Sequence, residues 1–301
     1  MTAVNALTVI IPHYGDPAHA ATVVQALAAQ QDPPDFEVVI VDDASPDPYP
    51  DDPRVKLLRR ERNGGFGSAV NTGAEVARHP FLLILNSDVT IGQTFLRDLC
   101  REASSWMPAV VAPMVIGASG EFQWTGRRFP RSSYQVVEWL TCLARFNGTR
   151  WKHAAVGHDL SCVGGAVTPV DWLVGVALLL PAEEFRAVGG FDESFHMNCE
   201  EIDLQRRLRR HGIPSIFVGT LEIGHLGGAS SGGSDRRRAM LVRSRIQYAA
   251  KWRENPMALR VFLTMASLIN LAVNAVRCLW GRDVRPLSVF RREFALLWKS
   301  Q

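Results

Sequence analysis

Short apolar runs alternating with helix-length stretches set the rhythm of the first hundred residues. Leu7-Thr-Val-Ile-Ile-Pro12 is rich in β-branched residues and does not alternate, the pattern of a strand covered on both faces in a parallel sheet. An Ala-rich stretch from about Ala18 to Gln30 predicts a helix, and Phe36-Glu-Val-Val-Ile-Val41 predicts a second buried strand. A third strand is expected around Val55 to Leu58, a helix holding Asn71 after it, and a fourth strand over Phe81 to Leu85. This βαβ order argues an α/β protein with a Rossmann-like, mostly parallel sheet flanked by helices, whose ligand chemistry gathers at the carboxyl edge of the strands.

Polar residues stand where that edge should be. Asp42-Asp43 ends the second strand, Asn86-Ser87-Asp88 ends the fourth, and Glu200-Glu201 opens a helix expected to run to Arg210 and stop at Gly212 and Pro214. Asn63-Gly-Gly-Phe-Gly67 offers glycine backbone that can pass close to a ribose or diphosphate. It lacks the Lys-Ser/Thr ending of an ATP-binding loop, which excludes that class of kinase or ATPase. Asp88 is a carboxylate at a strand end, suited to Mg2+ or Mn2+ shared with phosphate oxygens. Tyr14 offers an aromatic face with a polar tip.

Seven segments together carry a family resemblance: Ile10 to Tyr14, Val41 to Ser45, Asn63 to Asn71, Leu85 to Asp88, Trp172 to Gly175, Gly189 to Glu193 and Glu200 to Leu204. In this order and spacing, residues 7 to about 250 resemble the inverting glycosyltransferases of family 2, which have the GT-A fold. The resemblance implies a catalytic domain over 1–250, with a nucleotide-binding half to about 115 and an acceptor half over 116–250. It assigns Pro12, Tyr14, Asp42, Asp43, Asn63, Gly65, Phe66, Gly67, Asn71, Asn86 and Ser87 to the nucleotide sugar, with Asp43 on the pyrimidine N3–H. Arg243 and Arg245, within a cluster that includes Arg236, Arg237 and Arg238, would clamp a diphosphate. Asp88 and His225 become the metal pair, His225 preceding a glycine loop. Trp172, Gly175 and Asp192 line the acceptor side, and Glu201, with Glu200 beside it, becomes the general base. Two departures stand out: Asn86 and Ser87 are neutral where the family usually carries an acid, and Glu201 replaces the usual aspartate.

Val188-Gly-Gly-Phe-Asp-Glu193, Asn86-Ser-Asp88 and His225-Leu-Gly-Gly-Ala-Ser230 are most similar to bacterial rhamnosyltransferases that act on polyprenyl-diphosphate-linked sugars. The expected reaction is transfer of L-rhamnose from dTDP-L-rhamnose to a glycan or lipid-linked hydroxyl in surface-polysaccharide assembly. A UDP-sugar donor is the alternative within the family. From other classes, a nucleotidyltransferase is disfavoured because His13-Tyr-Gly-Asp16 is not its basic glycine-rich loop, and a catalytically silent membrane-docked subunit is disfavoured by Asp88, Glu201 and His225.

Charge divides the chain. From Lys251 onward nine Lys or Arg face three acids, a balance of +6, so residues 1–250 carry −3 of the overall +3. In this basic tail, 251–301, Arg260, Thr264, Ser267, Asn270, Asn274 and Arg277 recur every three or four residues and predict an amphipathic helix with one narrow polar stripe. Its uncharged span from Val261 to Val276 would be roughly 24 Å long, short of the ~30 Å hydrocarbon core. That favours a helix lying on an anionic membrane surface, with Arg282, Arg285, Arg291, Arg292 and Lys299 toward lipid; the alternative is a helix buried against protein. The basic tail beside a lipid-like helix argues against nucleic acid, and a homodimer stays open. Five scattered cysteines (Cys100, Cys142, Cys162, Cys199, Cys278) suggest neither a zinc site nor a disulfide framework, and with no basic segment ahead of the first apolar run a cytoplasmic setting is expected. Trp124 to Asp159 shows no periodicity and is expected to be an irregular acceptor loop.

Overall fold

The computed structural model describes residues 3–227 and 234–299. The motif beyond Gly227, from Gly228 to Ser230, and the Arg236 side chain lie outside what is described. In chain order the elements are β1 (Ala6–His13), α1 (Pro17–Ala28), β2 (Asp35–Asp42), β3 (Lys56–Arg59), α2 (Phe66–Glu75), β4 (Phe81–Leu85), β5 (Val89–Thr90) and α3 (Phe95–Ser104). They continue as β6 (Val110–Gly117), β7 (Gly126–Arg127), α4 (Ser132–Trp139), α5 (Arg150–Ala155), β8 (Val167–Val170), β9 (Trp172–Leu173) and β10 (Ala177–Pro181). The rest are α6 (Ala182–Ala187), α7 (Glu200–Arg210), β11 (Ser215–His225), α8 (Ser234–Lys251), α9 (Pro256–Leu279) and α10 (Pro286–Trp298).

These elements form two compact units, Met1–Arg127 with Ser161–Gly232, and Arg128–Leu160 with Gly233–Gln301. The division differs from the expected boundary at residue 250: α8 belongs with the tail helices, and so does the insertion 128–160. The reason is apolar packing, because Trp139 shares a core with Val242, Ala249, Leu259, Leu263 and Leu297. The stretch expected to be an irregular loop is thus largely folded, as α4, a 3-10 turn and α5.

The first unit is built on a mixed sheet ordered β3-β2-β1-β4-β10-β6-β11-β5, with β8 beside β11. The four strands β3, β2, β1 and β4 run parallel, so His13, Asp42, Arg59 and Leu85 come to the same edge. Antiparallel β10 joins this block to β6 and β11, which run parallel to each other. Both faces are covered: Val9, Ile11 and Leu83 pack in one apolar cluster, Ile10, Leu82 and Ile84 in the other. Successive strand residues alternate between faces, which is why these runs are continuously apolar. Helix α1 starts at Asp16, whose carboxylate accepts from Ala18 N at 2.9 Å, with Pro17 fixing the first turn. It buries Ala20, Val23, Val24 and Leu27, one stripe at helical spacing.

In the second unit α9 carries its stripe the other way round from the surface-helix expectation. Ser267, Asn270 and Asn274 are buried, whereas Phe262, Met265, Leu268, Ile269 and Val276 are exposed. The buried polar groups are satisfied: Trp139 Nε1 donates to Ser267 Oγ at 2.8 Å, and Asn270 Oδ1 accepts from Thr141 N at 2.9 Å. Asn270 Nδ2 donates to Trp139 O at 2.9 Å. Glu293 of α10, also fully buried, pairs with Arg238 at 3.0 Å, and that guanidinium lies 4.6 Å over the Trp139 ring.

Candidate active site

Four strand ends and one helix start supply the site in the first unit. At the end of β2 the two adjacent aspartates do different jobs. Asp42 turns inward, accepting from Ser45 N at 2.8 Å and Tyr49 N at 2.9 Å, and so shapes the loop that follows. Asp43 turns toward the glycine loop: Arg60 donates to it at 2.6 Å, Gly64 N at 3.1 Å and Gly65 N at 2.8 Å. Gly65 precedes α2 with φ 88°, a left-handed conformation, and an added Cβ would stand 2.2 Å from the His196 carbonyl oxygen. Only glycine fits there without moving the backbone.

Arg60 also donates to Ser68 Oγ at 2.7 Å, and Ser68 Oγ donates to Glu193 at 2.8 Å. Asn71 completes the chain, donating to Phe191 O at 2.9 Å and Glu193 at 3.0 Å and accepting from Phe191 N at 2.9 Å. Its amide therefore clamps the Gly189–Glu193 turn. Hydrogen bonds from Asn71 and Ser68 hold the Glu193 carboxyl below the usual carboxylate range. Asp192 caps the same turn by accepting from Ser194 N at 3.0 Å. Tyr14, 38% exposed, follows β1 beyond Pro12. The roles of Arg60, Ser68 and Glu193 depend on tertiary contacts, and only the Gly-Gly-Phe-Asp-Glu motif hinted at one of them.

The end of β4 meets the end of β11. His225 is the last residue of β11, paired with Val89 and Gly117, just ahead of the glycine pair as its sequence position suggested. Its Nε2 is 3.3 Å from Asp88 Oδ1, and Asp88 Oδ2 accepts from Gly227 N at 3.2 Å. Burial works to raise the Asp88 pKa, but the hydrogen bond and charge of His225 together with backbone hydrogen bonds, Gly227 among them, outweigh it, so the carboxyl lies below its ordinary value. The other ring nitrogen, Nδ1, is 2.9 Å from Gln123 Oε1, while Gln123 Nε2 faces the His225 carbonyl at 3.5 Å. That orientation assigns the Nδ1 proton to the bond with Gln123. Two lone-pair-bearing atoms then face each other across 3.3 Å, an arrangement that calls for a cation between them, either a proton or a metal ion. Asn86 Nδ2 lies 3.4 Å from the same Nε2, and Ser87 sits between these residues in sequence.

No cluster of three or more His, Cys, Asp or Glu side chains able to hold a metal occurs among the described residues. The Asp88–His225 pair, one carboxylate and one imidazole, would suit a divalent ion that also shares diphosphate oxygens, with imidazole favouring Mn2+ over Mg2+. Gln123 gave no sequence signal of its own, and orienting partners of this kind are visible only in three dimensions.

Glu200 and Glu201 open α7 after Asn198 and Cys199, both left-handed at φ 64° and 69°. Each glutamate has a buried Oε2 without a hydrogen-bond partner. Burial pushes the Glu200 pKa well up, and the neighbouring Glu201 charge adds to this. Burial also raises Glu201, opposed in part by a backbone hydrogen bond and then by the positive Arg127. Arg207 is paired with Asp203 at 2.8 Å and with Val188 O at 2.6 Å, so its charge is committed elsewhere. Arg127 lies 5.5 Å over the buried Trp172 ring, making that tryptophan a platform within the core.

Two adjacent residues tie these parts together. Gly175 packs against Glu201, with an added Cβ 3.5 Å from Glu201 Cβ and 3.9 Å from the Phe66 ring. Its neighbour Val176 accepts from Asn86 N at 2.9 Å. Phe66 stands edge-on to Phe191, and Gly67 leaves room for that ring, since its added Cβ would be 2.9 Å from Phe191 Cβ. Asn63 immediately precedes the two amides on Asp43. The first unit therefore brings the glycine loop, Asn86 and Glu201 into one neighbourhood. Arg243 and Arg245 belong to α8 in the second unit, where Arg245 pairs with Glu138 and Arg243 is exposed.

The family model of Glycosyl transferase family 2 matches residues 8–155. Validoxylamine A glucosyltransferase of Streptomyces hygroscopicus subsp. limoneus is 32% identical over 232 residues, covering 69% of this chain and 49% of that protein. The N-acetylglucosaminyl-diphospho-decaprenol L-rhamnosyltransferase of Mycobacterium tuberculosis (strain ATCC 25618 / H37Rv) is 28% identical over 250 residues, covering 76% and 78%. The chain thus spans about half the length of the glucosyltransferase relatives it matches. Among solved structures, GalNAc-T7 with UDP, GalNAc and Mn2+ aligns with a TM-score of 0.54 at 15% identity, covering 79% of this chain and 48% of that one. S. aureus TarS 1–349 aligns at 0.51 and 14% identity, covering 97% and 90%. These likenesses carry the fold. On a GT-A fold, this chain carries a glycosyl transferase family 2 domain.

Proposed function

We propose that this chain is an inverting glycosyltransferase that moves a sugar from a nucleoside-diphosphate donor to a hydroxyl of a glycan or lipid-linked acceptor. The carrying observation is the packing of Glu201 against Gly175, whose neighbour Val176 is hydrogen-bonded to Asn86 beside the Asp88–His225 pair. That packing puts a base candidate next to the place where a donor diphosphate would be held. Glu201 takes the proton of the acceptor hydroxyl as its oxygen attacks the anomeric carbon from the face opposite the diphosphate. Burial makes the carboxylate a stronger base than in water, with the positive Arg127 among the groups that work against that rise. Asp88 and His225 would hold Mg2+ or Mn2+, which when bound would offset charge on the departing diphosphate. Asp43 and Tyr14 serve the pyrimidine, the glycine amides the ribose and diphosphate, and Trp172 with Asp192 the acceptor side.

The donor sugar in this reading is L-rhamnose from dTDP-L-rhamnose and the acceptor a polyprenyl-diphosphate-linked sugar, supported by the mycobacterial relative, of which the chain covers 78%. The glucosyltransferase relative, at higher identity, favours a UDP-hexose as the second reading. We place the protein on the cytoplasmic side, where nucleotide sugars are made. Calorimetry with dTDP-rhamnose, UDP-glucose, UDP-N-acetylglucosamine and UDP-galactofuranose, with and without Mn2+, tests this. Metal-dependent preference for dTDP-rhamnose supports it, preference for a UDP-sugar moves it to the second reading, and no binding by folded protein overturns it in favour of a silent subunit.

A further inference from the structure

We infer that α9 seats this protein on an anionic bilayer through its outward apolar face, with the helix lying along the membrane. The observation is the inversion of the helix. Its stripe at 260, 264, 267, 270, 274 and 277 packs inward, and its outward arc carries Val261, Phe262, Met265, Leu268, Ile269 and Val276, each 42–56% exposed. The arc ends at Leu279 and Trp280, 85% and 83% exposed. Over its best window the helix has a mean hydropathy of 1.6 with a third of the window buried, so it meets the length and composition of a membrane span. Its inward hydrogen bonds to α4 and α10 argue against crossing, because a span would carry the buried Glu293–Arg238 pair and Asn270 into the hydrocarbon. Lying flat, the helix puts only the apolar arc among acyl chains.

Charge decides the occupant. Arg282, Arg285, Arg291, Arg292 and Lys299 are all exposed after the arc, and the exposed acid among them is Asp283 alone; Glu293 is buried. A second copy of this chain would bring the same positive groups against these, whereas anionic headgroups complement them. Trp280 stands between apolar arc and arginines, where an indole bridges acyl chains and headgroups.

The inference does not rest on the transferase reading, since it is tested without donor or acceptor. Purified full-length protein is floated with phosphatidylcholine vesicles and with vesicles containing about a third phosphatidylglycerol. Wild type should float with the anionic vesicles and bind the neutral ones at least about tenfold more weakly. M265E/I269E, both on exposed positions, should lose binding about tenfold or more while keeping the wild-type circular dichroism melt. R282Q/R285Q/R291Q/R292Q should lose the preference for anionic lipid. Equal binding by wild type and M265E/I269E overturns the inference, as does failure of wild type to float. A dimer that M265E/I269E dissociates, with no vesicle binding, also overturns it and gives the face to a second copy.

Discussion

The sheet of the first unit and helix α9 of the second treat polar residues in opposite ways. In the first, β-branched residues fill both faces of the sheet and polar groups collect at one edge, where they reach ligands. In α9 of the second, Ser267, Asn270 and Asn274 are interior beside Leu259, Leu263 and Trp139, while Phe262, Leu268, Ile269 and the following Trp280 face outward. The contrast teaches that a periodic stripe identifies a helix but does not say which side is out. That is decided by whether the polar groups find partners inside, as Asn270 does with Trp139 and Thr141.

The largest expected effect lies in the first unit. Glu201→Gln should lower turnover by about 10³-fold or more while nucleotide affinity by calorimetry stays within about threefold. A variant retaining most of its turnover would exclude Glu201 as base. Next, Gln123→Leu should weaken Mn2+ binding in the presence of nucleotide by about 10- to 100-fold through loss of the bond that orients His225, read by electron paramagnetic resonance.

In the second unit, Asn270→Leu should destabilise by about 2 kcal/mol, because Trp139 O and Thr141 lose their partner. If interior polarity were incidental, that substitution would be neutral or stabilising in a melt. The smallest effect is a pH dependence. Glu200 is raised in the fold, so protonation stabilises the native state at low pH and that stability is lost as pH rises through the raised value. Glu200→Gln should therefore raise the melting temperature at pH 7–8, by roughly 2–4 °C per kcal/mol recovered, with the gain vanishing toward pH 4. Turnover, which needs Glu201 ionised, should fall on acidification at a higher pH than an ordinary carboxylate would give.

The four strands β1 to β4 and their ends were readable from sequence because short β-branched runs there alternate with helix-length stretches, whereas β6 and β10 were not picked out. Asp42–Asp43, Asp88 and Glu200–Glu201 stand at ends of elements predicted within a residue or two. The partners were not readable. Arg60 gives no local sign that it joins Asp43 to Ser68, and Arg127 sits in a two-residue bridge strand opposite Trp172. The helices of 132–155 were missed because eight- and six-residue elements carry too few turns to show a period.

The adjacent residues Gly175 and Val176 make base and donor edge mechanically one piece. Because Asn86 joins that link through its backbone N–H, which any non-proline residue there would keep, the link is broken from the Gly175 side rather than by changing the Asn86 side chain. Adapting this scaffold to a larger acceptor by enlarging Gly175 would shift the donor side with it, whereas changes at Asp192, outside that link, leave the register between base and donor intact.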